Sequence, residues 1–503
     1  MSIDPKTTKI GRAAIYIYIE TFVSLILGYI FWITMSKLGS PEIIGISSAV
    51  ITFSGILSVV SNFGIPTGIQ RFLGKSFATF SRQEIKIYLL SSLLIITITI
   101  GIIVLISLIF SNYFLSVFKV DKHYLYISLL LMICTTYPTL FRGIIVSSLQ
   151  TKILTLSMTL SATLKIILGV FFMIWGFGAF GLIVSYTINQ LAVSIILGIY
   201  IISVFHKSRA ESENPMERKD ILLIKKLKEI FSSSIVNWVP LVITTIGSQI
   251  GTIFIYGSNG SKDAGLFFMS LTIVTGITSV MYSLFTISFP AMSAMEDGRK
   301  RFTANTIRLS LIMAIPFTSS LIFYSRDILG LLGPDYIPAY TILDILLLSM
   351  VPTAIQYGIT SLVYSYGKYR QVLFLGLTTS IPRITLYFIL VPAFGSMGGA
   401  IAFTVGVLIG FMSSIIVARK NGSTIEWRNT LLILTIPMVI SLILYEMNIY
   451  YIFGILLNLV FSYLIMYHFK LILIADVKYF IRLLPLPSQR AIFSLLKKIN
   501  NRR

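Results

Sequence analysis

A succession of long apolar runs constrains this chain more than any other feature of its sequence. Most runs hold 18 or more residues, which is enough to cross a hydrocarbon core of about 30 Å. Only helices and closed barrels satisfy their backbone hydrogen bonds in lipid, and these runs lack the alternating pattern of barrel strands. The sequence therefore predicts an all-α polytopic membrane protein. Its 56% hydrophobic and 12% charged residues exclude an ordinary soluble domain.

Fourteen transmembrane helices are predicted, numbered here as spans in chain order. The first run is a full span after a polar, basic start, which favours a retained helix over a cleaved signal peptide. A charged stretch at 206–229 separates spans 6 and 7, and its pattern predicts an amphipathic surface helix at about 216–230. The spans fall at about 14–36, 42–63, 86–110, 123–147, 154–175, 181–204, 232–256, 264–288, 305–325, 339–363, 371–391, 398–418, 428–446 and 449–469.

Lysine and arginine are distributed unevenly between the two sides that this map defines. With the N-terminus in the cytoplasm, most of the 40 Lys and Arg residues fall in cytoplasmic turns and tails. The outer turns carry only Lys37, Lys119, Lys122, Lys262 and Arg326. This split follows the positive-inside rule and predicts a cell-membrane protein with both termini in the cytoplasm. The net charge of +21 is then largely a topology signal and not evidence of nucleic acid binding.

One pattern occurs in both halves of the chain. Each copy has an apolar run, a short basic turn, a second apolar run with a basic residue near its middle, a Gly-x-x-Gly turn and a third run. The deep basic residues, Lys165 and Arg383, are 218 residues apart, and the turns that begin at Gly178 and Gly395 are 217 apart. Spans 1–6 and 7–12 are therefore predicted to be two six-helix parallel repeats, followed by two C-terminal helices. The corresponding segments are 1–206 for the N-terminal lobe, 207–231 for the cytoplasmic linker, 232–420 for the C-terminal lobe, and 421–503 for the last two helices and a basic tail.

Three stretches carry a resemblance to a known family. They are Gly39 to Gly45 followed by 61–65 and Arg71, then 260–267, then 331–336 followed by Asp344. With the span count, they resemble the polysaccharide flippase branch of the multidrug/oligosaccharidyl-lipid/polysaccharide exporter superfamily. The resemblance implies V-shaped lobes around a central cavity with alternating access. It also implies that the cargo is an isoprenoid-phosphate- or isoprenoid-pyrophosphate-linked glycan.

Lys165 and Arg383 are the strongest candidates for a functional site. Each lies about 11 or 12 residues into its span, roughly 16 to 18 Å deep at about 1.5 Å per residue, and a charge there is costly. One reading is an ion pair with a membrane acid, and the other is a cavity cation that neutralises a phosphate. The scarcity of membrane acids favours the second reading. We expect the two residues on facing positions of the two lobes.

Four further residues each allow two interpretations, one functional and one structural. Arg142, near the cytoplasmic end of span 4, either faces the cavity or extends to the headgroups, and Arg71 either guards the cavity mouth or meets lipid. Glu20 is a candidate for ion coupling or for pairing with a basic residue, and Asp344 for ion coupling or solvation at the outer side. Arg308 is interpreted as an interface anchor.

The resemblance, together with the two deep cations, implies a flippase that moves a lipid-linked oligosaccharide from the cytoplasmic to the outer leaflet. Membrane lipids and enzymes of the same pathway are the expected partners. We expect a monomer that needs no ATP, cofactor or metal, since no Walker motif occurs and the three His residues lie apart at span ends. We expect no enzymatic activity, because the predicted outer loops are short and carry no paired acids or His. A sodium- or proton-coupled multidrug exporter is the alternative. A membrane enzyme of the same pathway would need a catalytic loop, which the short outer loops do not provide. An uncoupled scramblase or scaffold stays open.

Overall fold

The computed structural model describes residues 5–78, 82–113, 121–207 and 219–472, and these are almost entirely helical. The helices are α1 (Pro5–Leu38), α2 (Pro41–Ser61), α3 (Ile65–Ala78), α4 (Arg82–Ile109), α5 (Lys122–Ser147), α6 (Lys152–Ile174), α7 (Gly178–Lys207), α8 (Lys219–Asn259), α9 (Ser261–Ala294), α10 (Arg299–Phe323), α11 (Ser325–Gly330), the 3₁₀ helix η1 (Pro334–Ala339), α12 (Tyr340–Leu347), α13 (Met350–Ser365), α14 (Tyr369–Lys420), α15 (Trp427–Glu446) and α16 (Tyr451–His468). No strand occurs within these ranges, so the all-α prediction is confirmed.

Twelve of the described helices are long and apolar enough to cross a membrane, or thirteen if one bent pair counts as a span. The bent pair joins Pro334–Leu347 to Met350–Ser365 at an angle of 41°. It occupies the place of the predicted tenth span, at about 339–363. The chain is therefore a multi-pass membrane protein, whereas its division into two six-helix repeats stays a prediction.

The chain forms two compact units, residues 1–265 and 266–503. In the first unit, α6 packs against α1 and α7, and α2 packs against α5 and α8. Its apolar core is centred on α3, α4 and α5, with fully buried side chains that include Ile69, Ile96 and Met132. The second half of the charged linker and the seventh span form the single helix α8, where the sequence predicted a separate surface helix. Residues 208–218 of that linker lie outside the described residues.

Glycines set the closest helix approach in the first unit. A Cβ atom placed on Gly45 would lie 1.8 Å from the Ser261 carbonyl oxygen, and one on Gly265 would lie 2.0 Å from the Pro41 carbonyl oxygen. The stretches 39–45 and 260–265, which both belong to the family signature, are thus in backbone contact at the starts of α2 and α9. Any side chain beyond hydrogen would separate them, which explains why glycine stands at both positions.

In the second unit, α10 packs against α13 and against the C-terminal pair α15 and α16. The fully buried Asn458 on α16 donates hydrogen bonds to the Pro316 carbonyl oxygen at 2.7 Å and to Ser320 Oγ at 2.8 Å on α10. Ser462 donates to Asn458 Oδ1 in turn. Interhelical hydrogen bonds of this kind hold helices together where lipid offers no hydrophobic driving force. The C-terminal tail beyond residue 472 lies outside the described residues.

The 52-residue helix α14 is a hairpin of two antiparallel arms. Its helical geometry breaks at Gly395, where φ is 54° and ψ is −134°. Cβ atoms built on glycines of the second arm would meet the first: Gly398 meets the Leu390 carbonyl oxygen, Gly406 meets Arg383, and Gly410 meets Thr379. The residue numbers of each pair add to nearly the same value, which is the signature of arms that run in opposite directions. The second Gly-x-x-Gly turn therefore reverses the chain between the predicted spans 11 and 12.

Candidate functional site

Lys165 lies near the middle of α6 and is only 6% exposed. Its Nζ atom lies 4.5 Å from the ring centroid of Phe31 on α1 and 4.5 Å from that of Tyr186 on α7. Among the described residues it has no ion pair and no hydrogen bond. Two desolvated cation–π contacts of about 2 kcal/mol each are comparable with the roughly 3 kcal/mol that a Lys at the centre of a membrane helix costs. The two rings together are therefore sufficient to offset the cost of this charge.

The local sequence explains why these rings reach the ammonium group. Gly169 lies one turn after Lys165 on α6, and a Cβ atom there would lie 2.9 Å from the Phe31 ring and 3.1 Å from the Met35 sulfur. The missing side chain lets α1 approach α6 closely. We call the arrangement of Lys165, Phe31 and Tyr186 the aromatic box.

Arg383 occupies the first arm of α14 and is 5% exposed. Its guanidinium carbon lies 4.0 Å from the ring centroid of Phe403 on the second arm. Gly406 makes room for it, since a Cβ atom there would lie 2.5 Å from the Arg383 Cβ atom. The Arg383 Nε atom is buried without a hydrogen-bond partner among the described residues. Burying this charge costs roughly 3 kcal/mol, and leaving the Nε donor without an acceptor adds a further cost. One cation–π contact of about 2 kcal/mol does not offset the two together.

The aromatic partners of both cations occupy matching places in the repeat. Tyr186 comes five residues after Gly181, and Phe403 comes five residues after Gly398, where each glycine is the second of its Gly-x-x-Gly turn. Sequence reasoning missed these two residues. The repeat offset of 217 residues relates them directly and is the signal that could have found them.

Glu20 is the partner of Arg142. Arg142 donates from Nη2 to Glu20 Oε2 at 2.9 Å and from Nε to Oε1 at 3.2 Å, a two-pronged ion pair between α5 and α1. The Glu20 side chain is 6% exposed and that of Arg142 is 41% exposed. Of the interpretations left open for Glu20, the structure shows the ion pair, and it does so with Arg142 and not with Lys165.

The other candidates lie apart from these contacts. Asp344 on α12 interacts with Ser325 and with Arg326, and the Arg326 guanidinium carbon lies 4.2 Å from the Tyr340 ring centroid. Arg308 lies 3.9 Å from Glu426. Arg71 falls on α3, and its side chain lies outside the described residues.

The Gln356 side chain is hydrogen-bonded within the second unit. Gln356 on α13 donates from Nε2 to the Thr379 hydroxyl on α14, close to Gly410. Within the described ranges no three His, Cys, Asp or Glu residues converge as a metal site would require. The site residues that emerge from the geometry are thus two buried cations on aromatic rings, one in each unit, and one ion pair.

The sequence profile of a family described as polysaccharide biosynthesis protein matches residues 10–296, more than half of the chain. The chain belongs to this family. It is also 25% identical over 420 residues to an uncharacterized membrane protein of Methanocaldococcus jannaschii, an alignment that covers 80% of this chain and 96% of that one.

Solved structures share the fold at low identity. The lipid II flippase MurJ, in an inward closed conformation, superposes with a TM-score of 0.64 at 18% identity over 90% of this chain and 99% of that one. An inward-facing multidrug resistance MATE family transporter of the MOP superfamily gives 0.62 at 14% identity over 82% and 98%. A MOP superfamily transporter from Pyrococcus furiosus, described as having a binding pocket of reversed polarity, gives 0.52 at 16% over 82% and 95%. The resemblance recognised in the sequence is therefore confirmed.

Proposed function

We propose that this chain is a flippase that carries an isoprenoid-phosphate- or isoprenoid-pyrophosphate-linked oligosaccharide from the cytoplasmic to the outer leaflet by alternating access. The observation that carries the proposal is the pair of buried cations, Lys165 and Arg383, which have no acidic partner among the described residues. In a member of the polysaccharide biosynthesis family, their natural counter-charge is the phosphate of a lipid-linked glycan.

The mechanism follows from the energetics of these two residues. A phosphate that enters the membrane interior is as costly as a cation, so each charge stabilises the other once both are desolvated. Arg383 offers planar N–H donors suited to phosphate oxygens, and Lys165 offers a compact point charge. Both neutralise the headgroup during its passage while the isoprenoid chain stays in lipid. Arg142, Arg71 and the acids Glu20 and Asp344 are proposed as secondary contacts or coupling groups.

A sodium- or proton-coupled multidrug exporter is the second candidate, because MATE transporters superpose nearly as well as the flippase. A cationic drug requires acidic groups in its binding cavity. The deeply buried acid Glu20 is already paired with Arg142, whereas the two deep cations lack acids among the described residues. This charge pattern supports an anionic cargo.

Deletion of the gene tests the proposal when lipid-linked glycans are analysed by mass spectrometry and surface glycan is measured alongside. The flippase predicts accumulation of a completed lipid-linked oligosaccharide and loss of surface glycan. Unchanged lipid-linked pools with new sensitivity to cationic dyes would point to the multidrug exporter. A truncated glycan on the lipid would point to an enzyme that acts earlier in the pathway.

Complementation of the deletion strain then tests the two cations. Lys165→Ala and Arg383→Ala are expected to abolish surface glycan while the protein still inserts, because the phosphate loses its counter-charge. Lys262→Ala, which removes an exposed lysine from the first turn of α9, is the matched control and should restore full surface glycan. Normal transport by both alanine variants at equal protein levels would refute the role of these residues.

A further inference from the structure

Two buried donors in the second unit lack acceptors. Arg383 Nε and the Tyr387 hydroxyl are both buried without a hydrogen-bond partner among the described residues. Arg383 is 5% exposed and Tyr387 is completely buried. They are four residues apart on the first arm of α14, so their side chains lie on one face of the helix, and they interact electrostatically. Such donors are normally satisfied, and two neighbouring ones indicate a shared acceptor.

Phe403 does not satisfy the donors of Arg383. Its ring centroid lies 4.0 Å from the Arg383 guanidinium carbon. An aromatic ring attracts a cation but offers no oxygen or nitrogen acceptor to its N–H groups. The buried Nε donor therefore needs an acceptor besides Phe403.

Comparison of the two repeat copies shows that this feature is specific to the second. The repeat offset of 218 residues that relates Arg383 to Lys165 also relates Tyr387 to Gly169. In the first copy, the glycine admits Phe31, which completes the aromatic box around Lys165. In the second copy, the side chain of Tyr387 fills the corresponding place and adds a hydroxyl donor beside Arg383. The first copy therefore shields its cation, whereas the second copy presents two donors to an acceptor.

We propose that Arg383 and Tyr387 form an anion-binding site in the second unit. The ligand is one anionic acceptor, either a halide such as chloride or a phosphate oxygen of the cargo headgroup. The inference rests on the proposed function only for the second of these sources. It assigns an anion contact to Arg383 within the second unit.

Thermal unfolding of the purified full-length protein in detergent tests the site with two probes. Sodium chloride replaces sodium gluconate at constant ionic strength in one titration, and farnesyl phosphate is added in the other. At least one probe should raise the Tm with saturation, because a ligand that binds only the folded state stabilises it. Tyr387→Phe should weaken the apparent affinity about tenfold or more, since a hydrogen bond to a charged group is lost. Tyr445→Phe removes a hydroxyl elsewhere in the second unit and should leave the affinity unchanged.

Each outcome has a definite reading. Stabilisation by chloride identifies a free anion, and stabilisation by farnesyl phosphate alone identifies the headgroup. No saturable response in the wild-type protein, or equal affinity in the wild type, Tyr387→Phe and Arg383→Gln, overturns the site. Tyr387→Phe keeps the test decisive if Arg383→Gln does not fold. A failed binding test with an intact deletion phenotype would refute the site and leave the flippase standing, and the reverse pair of results would do the opposite.

Discussion

At the scale of single residues, the Glu20–Arg142 ion pair determines what the loss of either charge does. Glu20→Gln leaves Arg142 without its carboxylate and should lower the free energy of unfolding by about 1–3 kcal/mol, less than for a fully buried pair because Arg142 is partly exposed. The double variant Glu20→Gln/Arg142→Gln should recover part of this loss. Unfolding in detergent, analysed as a double-mutant cycle with Lys262→Gln as the surface control, measures the coupling.

The same variants separate pairing from ion coupling. If the ion pair is the whole role of Glu20, the double variant should transport as well as its stability allows. A double variant that is as stable as the wild type but has lost transport would show that Glu20 has a second role. Additive single effects on stability would contradict the pairing itself.

The sequence could not predict which side chain each membrane-embedded charge contacts. The length of the apolar runs places Lys165, Arg383 and Glu20 inside the membrane, because depth depends only on position within a run. Pairing depends on how helices rotate about their axes, and Glu20 and Arg142 are 122 residues apart in the chain. The aromatic partners of the two cations were partly predictable, because the repeat relates Tyr186 to Phe403.

At the scale of helices, glycines determine where the arms of the α14 hairpin touch. Gly398→Ala would place a Cβ atom 2.2 Å from the Leu390 carbonyl oxygen, a backbone atom that cannot move aside cheaply. We expect a loss of about 1–3 kcal/mol in unfolding free energy, typical of overpacking. Gly101→Ala in α4 is the matched control, because nothing lies within 4 Å of a Cβ atom there. It should be neutral or stabilise by up to about 1 kcal/mol through helix propensity. Equal stability of the two variants would contradict the antiparallel hairpin.

Chain breaks were predictable from the sequence where glycine or polar residues mark them. The Gly-x-x-Gly pattern predicted the reversal at Gly395, and the polar residues near Asn448 predicted the break between α15 and α16. The bend between α12 and α13 falls at Leu348 and Ser349. Pro352 comes four residues after Leu348 and has no N–H to donate to the Leu348 carbonyl oxygen, which is a common cause of a helix kink. Hydropathy averaged over a span does not register the loss of one backbone hydrogen bond.

At the scale of the whole molecule, composition and charge predicted the class of protein, because lipid permits few solutions for the backbone. The distribution of charge also predicts which side of the membrane each turn faces, and this sidedness can be measured one residue at a time. Cys134 is buried and is the chain's one cysteine, so Cys134→Ala gives a background for single introduced cysteines.

Orientation follows from the distribution of basic residues between alternate turns. Cysteines at Lys300 and Lys368 are expected to react with a membrane-impermeant maleimide only after the cells are opened. Cysteines at Lys37 and Lys262 are expected to react in intact cells. The physical reason is the excess of Lys and Arg in the turns near Lys300 and Lys368, because basic turns resist translocation during insertion. Labelling of all four positions after opening, read by gel shift, controls for accessibility. Reaction of Lys300→Cys in intact cells would show that the protein has the opposite orientation, and would reverse the proposed direction of glycan transport.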